Sequence, residues 1–197
     1  MLEEGLEAID LASGRRLVGH GARVMLEHGF AQAGRPLDEM RSKALVEDFI
    51  PRYLERIAEE SRPFPGCVEA LDALHAAGAR LTVCTNKLTS LSLALLDAVG
   101  LAGRFEAVVG PDATAARKPD PRHLLDAIAA AGGRPDRAVY VGDASPDVRA
   151  AKAAGVPVIG VSFGYADAPL VGLGFDVLID RYEDLPDACA RRLATPP

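Results

Sequence analysis

Short apolar segments alternate with amphipathic ones from residue 67 onward, and this alternation most narrows the folds open to the chain. The apolar segments are too short to be helices, and they lack the alternating polar positions of a strand with one face in water. They span residues 81–84, 107–109, 139–141, 157–161 and 177–179. We therefore predict an α/β fold with a doubly wound parallel sheet covered by helices on both faces.

The segments between the predicted strands have the spacing of helices, and most of them end at a glycine, a common helix stop. The predicted helices span residues 68–77, 89–99, 122–131, 146–154 and 183–193. Strands and helices in strict alternation indicate parallel pairing, because parallel neighbours need a crossover between them.

Residues 1–62 show a different pattern, which we interpret as a small all-helical cap region. Apolar residues recur at steps of three and four over residues 37–57 and again over 16–30, where Gly19 and Gly21 weaken the start of the helix. The breaker segment Pro63–Gly66 marks the predicted boundary with a Rossmann-like core over residues 63–197.

Composition excludes several function classes. A net charge of −6 argues against nucleic acid as a partner, and no apolar run is long enough for a membrane span. Cys67, Cys84 and Cys189 are too widely spaced for a metal site. An odd number of scattered cysteines fits a reducing compartment, so we predict a cytoplasmic protein.

The residues that directly follow the predicted strands carry the chemistry, because ligands bind at the carboxyl ends of strands in such sheets. Thr85 and Asn86 follow the first strand, Lys118 lies in the loop after the second, and Asp143 and Asp147 follow the third. A hydroxyl, an ammonium group and two carboxylates at one edge suit a small anion bound with a divalent cation.

Each of these residues also has a structural interpretation. Thr85 and Asn86 could cap the next helix, and Lys118 could be a solvated surface lysine. Ser145, Pro146 and Asp147 suit a helix start as N-cap, first-turn proline and first-turn acid. The order and spacing of the whole set favour the functional interpretation.

Three motifs resemble those of the haloacid dehalogenase-like (HAD) phosphohydrolase superfamily. They are an apolar strand ending in Thr85, a basic Lys118 ahead of a helix, and a strand running into Gly142-Asp143-x-x-x-Asp147. Residues 64–165 are similar to the bacterial phosphoglycolate phosphatases in particular, and residues 18–21 resemble the start of the small helical cap of that subfamily. The resemblance extends from about residue 15 to 182.

The resemblance implies a Mg²⁺-dependent phosphomonoester hydrolase with an aspartyl-phosphate mechanism, and 2-phosphoglycolate is the expected substrate. It implies catalytic roles for Thr85 and Lys118, and metal binding by Asp143 and Asp147, the latter completing the acidic cluster or orienting the lysine. The residues it implies for substrate and phosphate binding are Thr85, Asn86, Lys118, Gly19 and His20.

One motif of the superfamily is absent. Its nucleophile lies in an Asp-x-Asp-Gly-Thr segment at the end of a first, central strand, and no Asp-x-Asp occurs here. Asp10 lacks the second acid and the Gly-Thr turn. Three explanations stay open: a chain start that omits the segment, a replacement segment at residues 1–10, or a nucleophile from another acid or another chain. Loss of a central strand should expose apolar faces and unpaired backbone groups.

Alternative functions follow from the same residues. A sugar-phosphate phosphatase or mutase would share the whole core and differ only in the cap. A catalytically inactive metal- or phosphate-binding protein would bind these ligands without turnover. An interaction module would use an exposed sheet edge to recruit a partner or a second copy as a homodimer, without need of Mg²⁺.

Overall fold

The computed structural model describes residues 4–194, apart from the side chain of Val18, which belongs to the predicted cap motif and lies outside the described part. Residues 1–3 of the segment considered as a replacement also lie outside it. Helices α1–α8 span Leu11–Leu17, Ala22–Gln32, Glu39–Glu55, Cys67–Ala76, Thr89–Ala98, Pro121–Ala130, Ser145–Ala154 and Leu185–Ala194. Strands β1–β5 span Thr82–Cys84, Ala107–Val109, Tyr140–Gly142, Val158–Val161 and Val177–Ile179.

The N-terminal helices differ from the expected pattern at one place. Instead of one helix over residues 16–30, α1 ends at Leu17, a short 3-10 turn follows, and α2 begins at Ala22. Gly21 causes the break, because its φ of +94° lies outside the helical range and is open chiefly to glycine. The interruption leaves Gly19 and His20 in a loop between two helices.

Helices α2 and α3 pack against each other as the amphipathic pattern predicts. Phe30 of α2 is only 2% exposed, and the buried Ser42 of α3 donates a hydrogen bond to Glu27 over 2.8 Å. Asp38 caps α3 by accepting from the Arg41 amide over 2.7 Å.

The five strands form two parallel sheets within the described residues. Strands β1 and β2 pair with Val83 opposite Val108, whereas β3, β4 and β5 pair in that order, with Val141 opposite Ile159 and Gly160 opposite Leu178. The predicted α/β class with parallel strands is confirmed. The strands and helices also match the predicted segments to within two residues at nearly every end.

One hydrophobic cluster joins the two sheets. Helix α6 packs on β1 and β2 and against α7, which in turn packs on β3 and β4. The buried members of this cluster are Cys84, Val109, Leu124, Ala127, Ile128, Tyr140, Val148, Ala151, Val156 and Val158. On the opposite face, residues of α4 and α8 cover β4 and β5, so all four residues of β4 are buried.

The described helices include none with the length and apolarity that a membrane crossing requires.

Replacing Leu124 with alanine should test whether this cluster holds both sheets. Leu124 is 2% exposed, so the truncation should lower the free energy of unfolding by about 2–5 kcal/mol. Urea denaturation should still show one transition by circular dichroism and by tyrosine fluorescence. Leu93→Ala, at a leucine that is 47% exposed, is the matched control and should cost far less. Two separate transitions would contradict a shared core.

Candidate functional site

The predicted site residues gather where β1, β2 and β3 end. Thr85 and Asn86 directly follow β1, Lys118 lies in the segment between β2 and α6, and Asp143 follows β3. Asp147 lies in the first turn of α7. Direct hydrogen bonds join Asn86 to Lys118, Lys118 to Asp147, and Asp147 to Asp143.

Lys118 lies at the centre of this arrangement and is not a surface lysine. Its ammonium donates to the Cys84 carbonyl over 2.8 Å, to the Tyr140 hydroxyl over 2.7 Å and to Asp147 Oδ1 over 2.8 Å. The side chains of Lys118 and Asp147 are 10% and 9% exposed. A pair this deeply buried is tolerated because further hydrogen bonds satisfy both charges.

Asp147 is surrounded by donors. Its Oδ2 accepts from the backbone amides of Asp143 and Ala144, each over 3.1 Å, while Oδ1 accepts from Lys118 and from Tyr140. Burial alone would raise the pKa of Asp147, but Lys118 and the two amides outweigh it and hold the pKa below its usual value. Asp147 is therefore an ionised counter-ion to Lys118 at neutral pH.

Asp143 lies in a different environment. Its Oδ2 accepts from the Tyr165 amide over 2.6 Å, whereas Oδ1 accepts no hydrogen bond from residues 4–194. Burial raises the pKa of this carboxyl, with the charge of Asp147 adding to the effect. Position 164, next to Asp143, requires a glycine, because a Cβ there would lie 2.4 Å from the Cβ of Asp143.

Thr85 and Asn86 do not cap α5, so the helix-capping interpretation is wrong. Thr85 Oγ1 accepts from the Lys87 amide over 3.1 Å, and Asn86 Nδ2 donates to the carbonyls of Gly19 and Lys118. The start of α5 is instead held by Asp112, which accepts from the Thr89 amide and hydroxyl. Asn86 Oδ1 is buried with no hydrogen-bond partner in the described chain.

The loop between α1 and α2 reaches the site through Gly19 and His20. A Cβ on Gly19 would lie 3.7 Å from the Cβ of Ala144. The Gly19 carbonyl accepts a hydrogen bond from Asn86 Nδ2. His20 Nε2 lies 3.2 Å from Asp167 Oδ2.

Asp167 is also the hydrogen-bond partner of Ser145. It accepts from the Ser145 amide over 2.8 Å and from the Ser145 hydroxyl. Ser145 is the first residue of α7 and Ala144 occupies the N-cap, so the predicted N-cap role of Ser145 is wrong. The first-turn position of Asp147 is as predicted.

Three residues of this region lie outside the sequence motifs: Tyr140, His123 and Asp167. Tyr140 is a polar aromatic residue inside an apolar strand, and that mismatch is the only sequence signal for it. His123 is completely buried, where its Nδ1 accepts from the Lys118 amide and its Nε2 donates to the Val109 carbonyl, both over 3.1 Å. It therefore anchors the backbone of the residue that carries the central ammonium.

The described site offers a divalent cation one available carboxylate oxygen. Among residues 4–194, no three His, Cys, Asp or Glu side chains form a group that could hold a metal ion. Asp143 Oδ1 is the carboxylate oxygen left for a cation, because both oxygens of Asp147 have donors. Mg²⁺ often binds through one or two carboxylates, water and substrate phosphate, and this donor set suits that mode.

Comparison with known proteins identifies the family. The family model described as haloacid dehalogenase-like hydrolase matches residues 2–161. The chain belongs to the haloacid dehalogenase-like hydrolases. It is 52% identical to a phosphoglycolate phosphatase of Caulobacter vibrioides, over 100% of this chain and 83% of that protein.

Two further relatives of this hydrolase are also described as phosphoglycolate phosphatases. A phosphoglycolate phosphatase of Mesorhizobium japonicum is 44% identical, over 95% of this chain and 83% of its own length. The crystal structure of a predicted phosphoglycolate phosphatase from Haemophilus somnus superimposes with a TM-score of 0.85 at 28% identity, covering 95% of this chain and 85% of that one. The predicted superfamily and the similarity to phosphoglycolate phosphatases are therefore confirmed.

The buried His123 should make stability fall in acid. Burial lowers the pKa of this imidazole, so the folded state favours the neutral form. Its contribution to the free energy of unfolding is complete above the unfolded pKa of about 6.5 and is lost as the pH falls toward the lower folded pKa.

Urea denaturation of the wild type and His123→Gln at pH 7.5 and pH 5.5 measures this contribution. The variant should be less stable by about 1–3 kcal/mol at pH 7.5, and the gap should narrow at pH 5.5. His75→Gln, at an exposed histidine, should show no such change. A gap that stays constant with pH would contradict a neutral His123.

Proposed function

We propose that this hydrolase cleaves small phosphate monoesters with Mg²⁺ as its cofactor, and that 2-phosphoglycolate is its substrate. The observation that carries the proposal is the buried Lys118–Asp147 pair beside Thr85 and Asp143, at the carboxyl ends of parallel strands. The pair fixes the positive Lys118 ammonium beside the Thr85 hydroxyl, and an ammonium near a hydroxyl donor suits the binding of a phosphate group. The names of the Caulobacter and Mesorhizobium relatives, both phosphoglycolate phosphatases, support the choice of substrate.

In this proposal, Thr85 and Asn86 bind the phosphate directly. The Thr85 hydroxyl accepts from the Lys87 amide, which leaves its own proton to donate to a phosphate oxygen. The backbone N–H of Asn86 donates to no acceptor within residues 4–194, so this N–H is available as a second donor.

Lys118 acts mainly through its charge. The ammonium already donates to three acceptors, so it need not bond to the substrate. Its positive charge lies in a buried region, where a nearby dianion is stabilised more than it would be in water. Asp147 holds the ammonium in place, and a role for Asp147 as a metal ligand stays a prediction.

Asp143 is the proposed metal ligand, through Oδ1. When bound there, Mg²⁺ would neutralise charge on the phosphate during transfer. The hydrogen bond from the Tyr165 amide holds the carboxylate by Oδ2.

Gly19 and His20 are the proposed cap contacts with the substrate. The Gly19 carbonyl accepts from Asn86, and a Cβ on Gly19 would lie in contact with the Cβ of Ala144, 3.7 Å away. Small residues at this contact let the cap approach the phosphate-binding segment closely. The free thiols of Cys67, Cys84 and Cys189 support a reducing compartment, and we place the protein in the cytoplasm.

A second function is favoured by the lack of an Asp-x-Asp sequence among the 197 residues. An aspartyl-phosphate route needs a nucleophilic carboxylate, and Asp147 is committed to its own donors. Asp10 is exposed and caps α1 by accepting from the Ser13 amide. The second function is binding of a phosphorylated metabolite and Mg²⁺ without turnover.

Phosphate release from 2-phosphoglycolate, with and without Mg²⁺, distinguishes the two functions. A phosphatase should release phosphate only with Mg²⁺, and Asp143→Asn should lower the rate by about 100-fold or more, because the amide is a weaker ligand. Asp136→Asn, at an exposed acid paired with Arg134, is the control and should leave the rate unchanged.

Calorimetric titration with 2-phosphoglycolate completes the test. Binding without release would support the second function and contradict the first. Absence of both binding and release from the folded chain would contradict both functions.

A further inference from the structure

Lys87 is the one lysine of this chain whose ammonium has no carboxylate partner among the described residues. The other three are paired: Lys43 with Glu47, Lys118 with Asp147 and Lys152 with Asp176. Lys87 is half-buried, and its ammonium instead donates to the hydroxyl of Tyr53 in α3, 4.3 Å from the centre of that ring. A phenol positions an ammonium group but does not neutralise it.

The position of Lys87 connects this ammonium with the candidate phosphate site. Lys87 is the second residue after Thr85, and its amide donates to the Thr85 hydroxyl oxygen. Asn86, between them, contacts the cap through Gly19, while Lys87 contacts the cap through Tyr53. Cap and core therefore meet along the same segment that offers donors to a phosphate.

The conformation of this segment is rigidly set. The Lys87 carbonyl lies so close to Gly110 that a Cβ there would approach it to 2.6 Å. On the cap side, Tyr53 stacks on Phe49 with the ring centres 5.3 Å apart. The ammonium is thus placed from both sides before any ligand arrives, which lowers the entropy cost of binding an anion.

We propose that Lys87 is a specificity-determining residue that binds the carboxylate of the substrate while Thr85 and Asn86 bind its phosphate. The inference rests on the proposed function, because it names the residue that distinguishes 2-phosphoglycolate from monoesters with an uncharged organic part. A carboxylate at Lys87 would give the ammonium the anionic partner that the protein itself does not provide. Tyr53 is a positioning residue, since it acts through Lys87.

Calorimetric titration of the whole chain with Mg²⁺ present tests the proposal with three ligands. These are 2-phosphoglycolate, ethyl phosphate, which lacks the carboxylate, and inorganic phosphate. The wild type should bind 2-phosphoglycolate about tenfold or more tightly than ethyl phosphate, as expected for one charge-assisted contact. Lys87→Met should bring this ratio close to one and leave the affinity for ethyl phosphate within about twofold.

Two variants control for indirect effects. Lys152→Met removes a lysine that is paired with Asp176 and should leave the ratio unchanged. Tyr53→Phe keeps the ring and removes the hydroxyl that holds the ammonium, so it should lower the ratio by about threefold while ethyl phosphate binding stays constant. Thermal unfolding of each variant checks that the fold is intact.

The outcomes separate this inference from the proposed function. A preference for 2-phosphoglycolate that survives Lys87→Met overturns the role of Lys87, as does a wild type that binds all three ligands equally. In both cases the phosphate site itself stands. A folded wild type that binds none of the three ligands overturns the proposed function, and the inference fails with it.

Discussion

The ion pair between Lys118 and Asp147 is the interaction on which the rest of the site depends. The ammonium donates to the end of β1 at Cys84, to Tyr140 at the start of β3 and to Asp147 in α7. These acceptors come from both sheets, so one side chain joins the two halves of the α/β region. Removing either charge would leave the other buried without a partner, a far larger cost than the loss of an exposed pair.

The surrounding structure serves to keep this pair satisfied. His123 holds the Lys118 backbone and is itself neutral because it is buried. Tyr140 donates or accepts at three groups, and burial raises the pKa of its phenol well above the usual value, so it stays protonated. The close approach of Asp147 to Gly142 leaves no room for a Cβ at that position. Chemistry and packing are therefore hard to separate at this edge of the fold.

The two acids of the Gly-Asp-x-x-x-Asp motif have different environments, although the motif presents them as a pair. Lys118 and the backbone amides of Asp143 and Ala144 lower the pKa of Asp147 against the effect of burial. Burial instead raises the pKa of Asp143, whose Oδ1 accepts no hydrogen bond from the described residues. The difference follows from position, since Asp147 in the first turn of α7 accepts from the backbone amides of Asp143 and Ala144, which directly precede the helix. Asp143 is thereby left as the group that can respond to a cation.

The sequence by itself determined the α/β class, the parallel strands, the extent of most helices and the superfamily, because each rests on short-range periodicity and on motifs with fixed spacing. It also indicated that Thr85, Lys118 and Asp143 would lie at one edge, since the carboxyl ends of parallel strands meet there. Only the tertiary structure decided that Lys118 is buried, that Thr85 and Asn86 do not cap a helix, and that Ser145 bonds to Asp167. Lys118, Asn86 and Ser145 all bond to partners 22 or more residues away along the chain, and neither propensity nor local spacing carries information about such contacts.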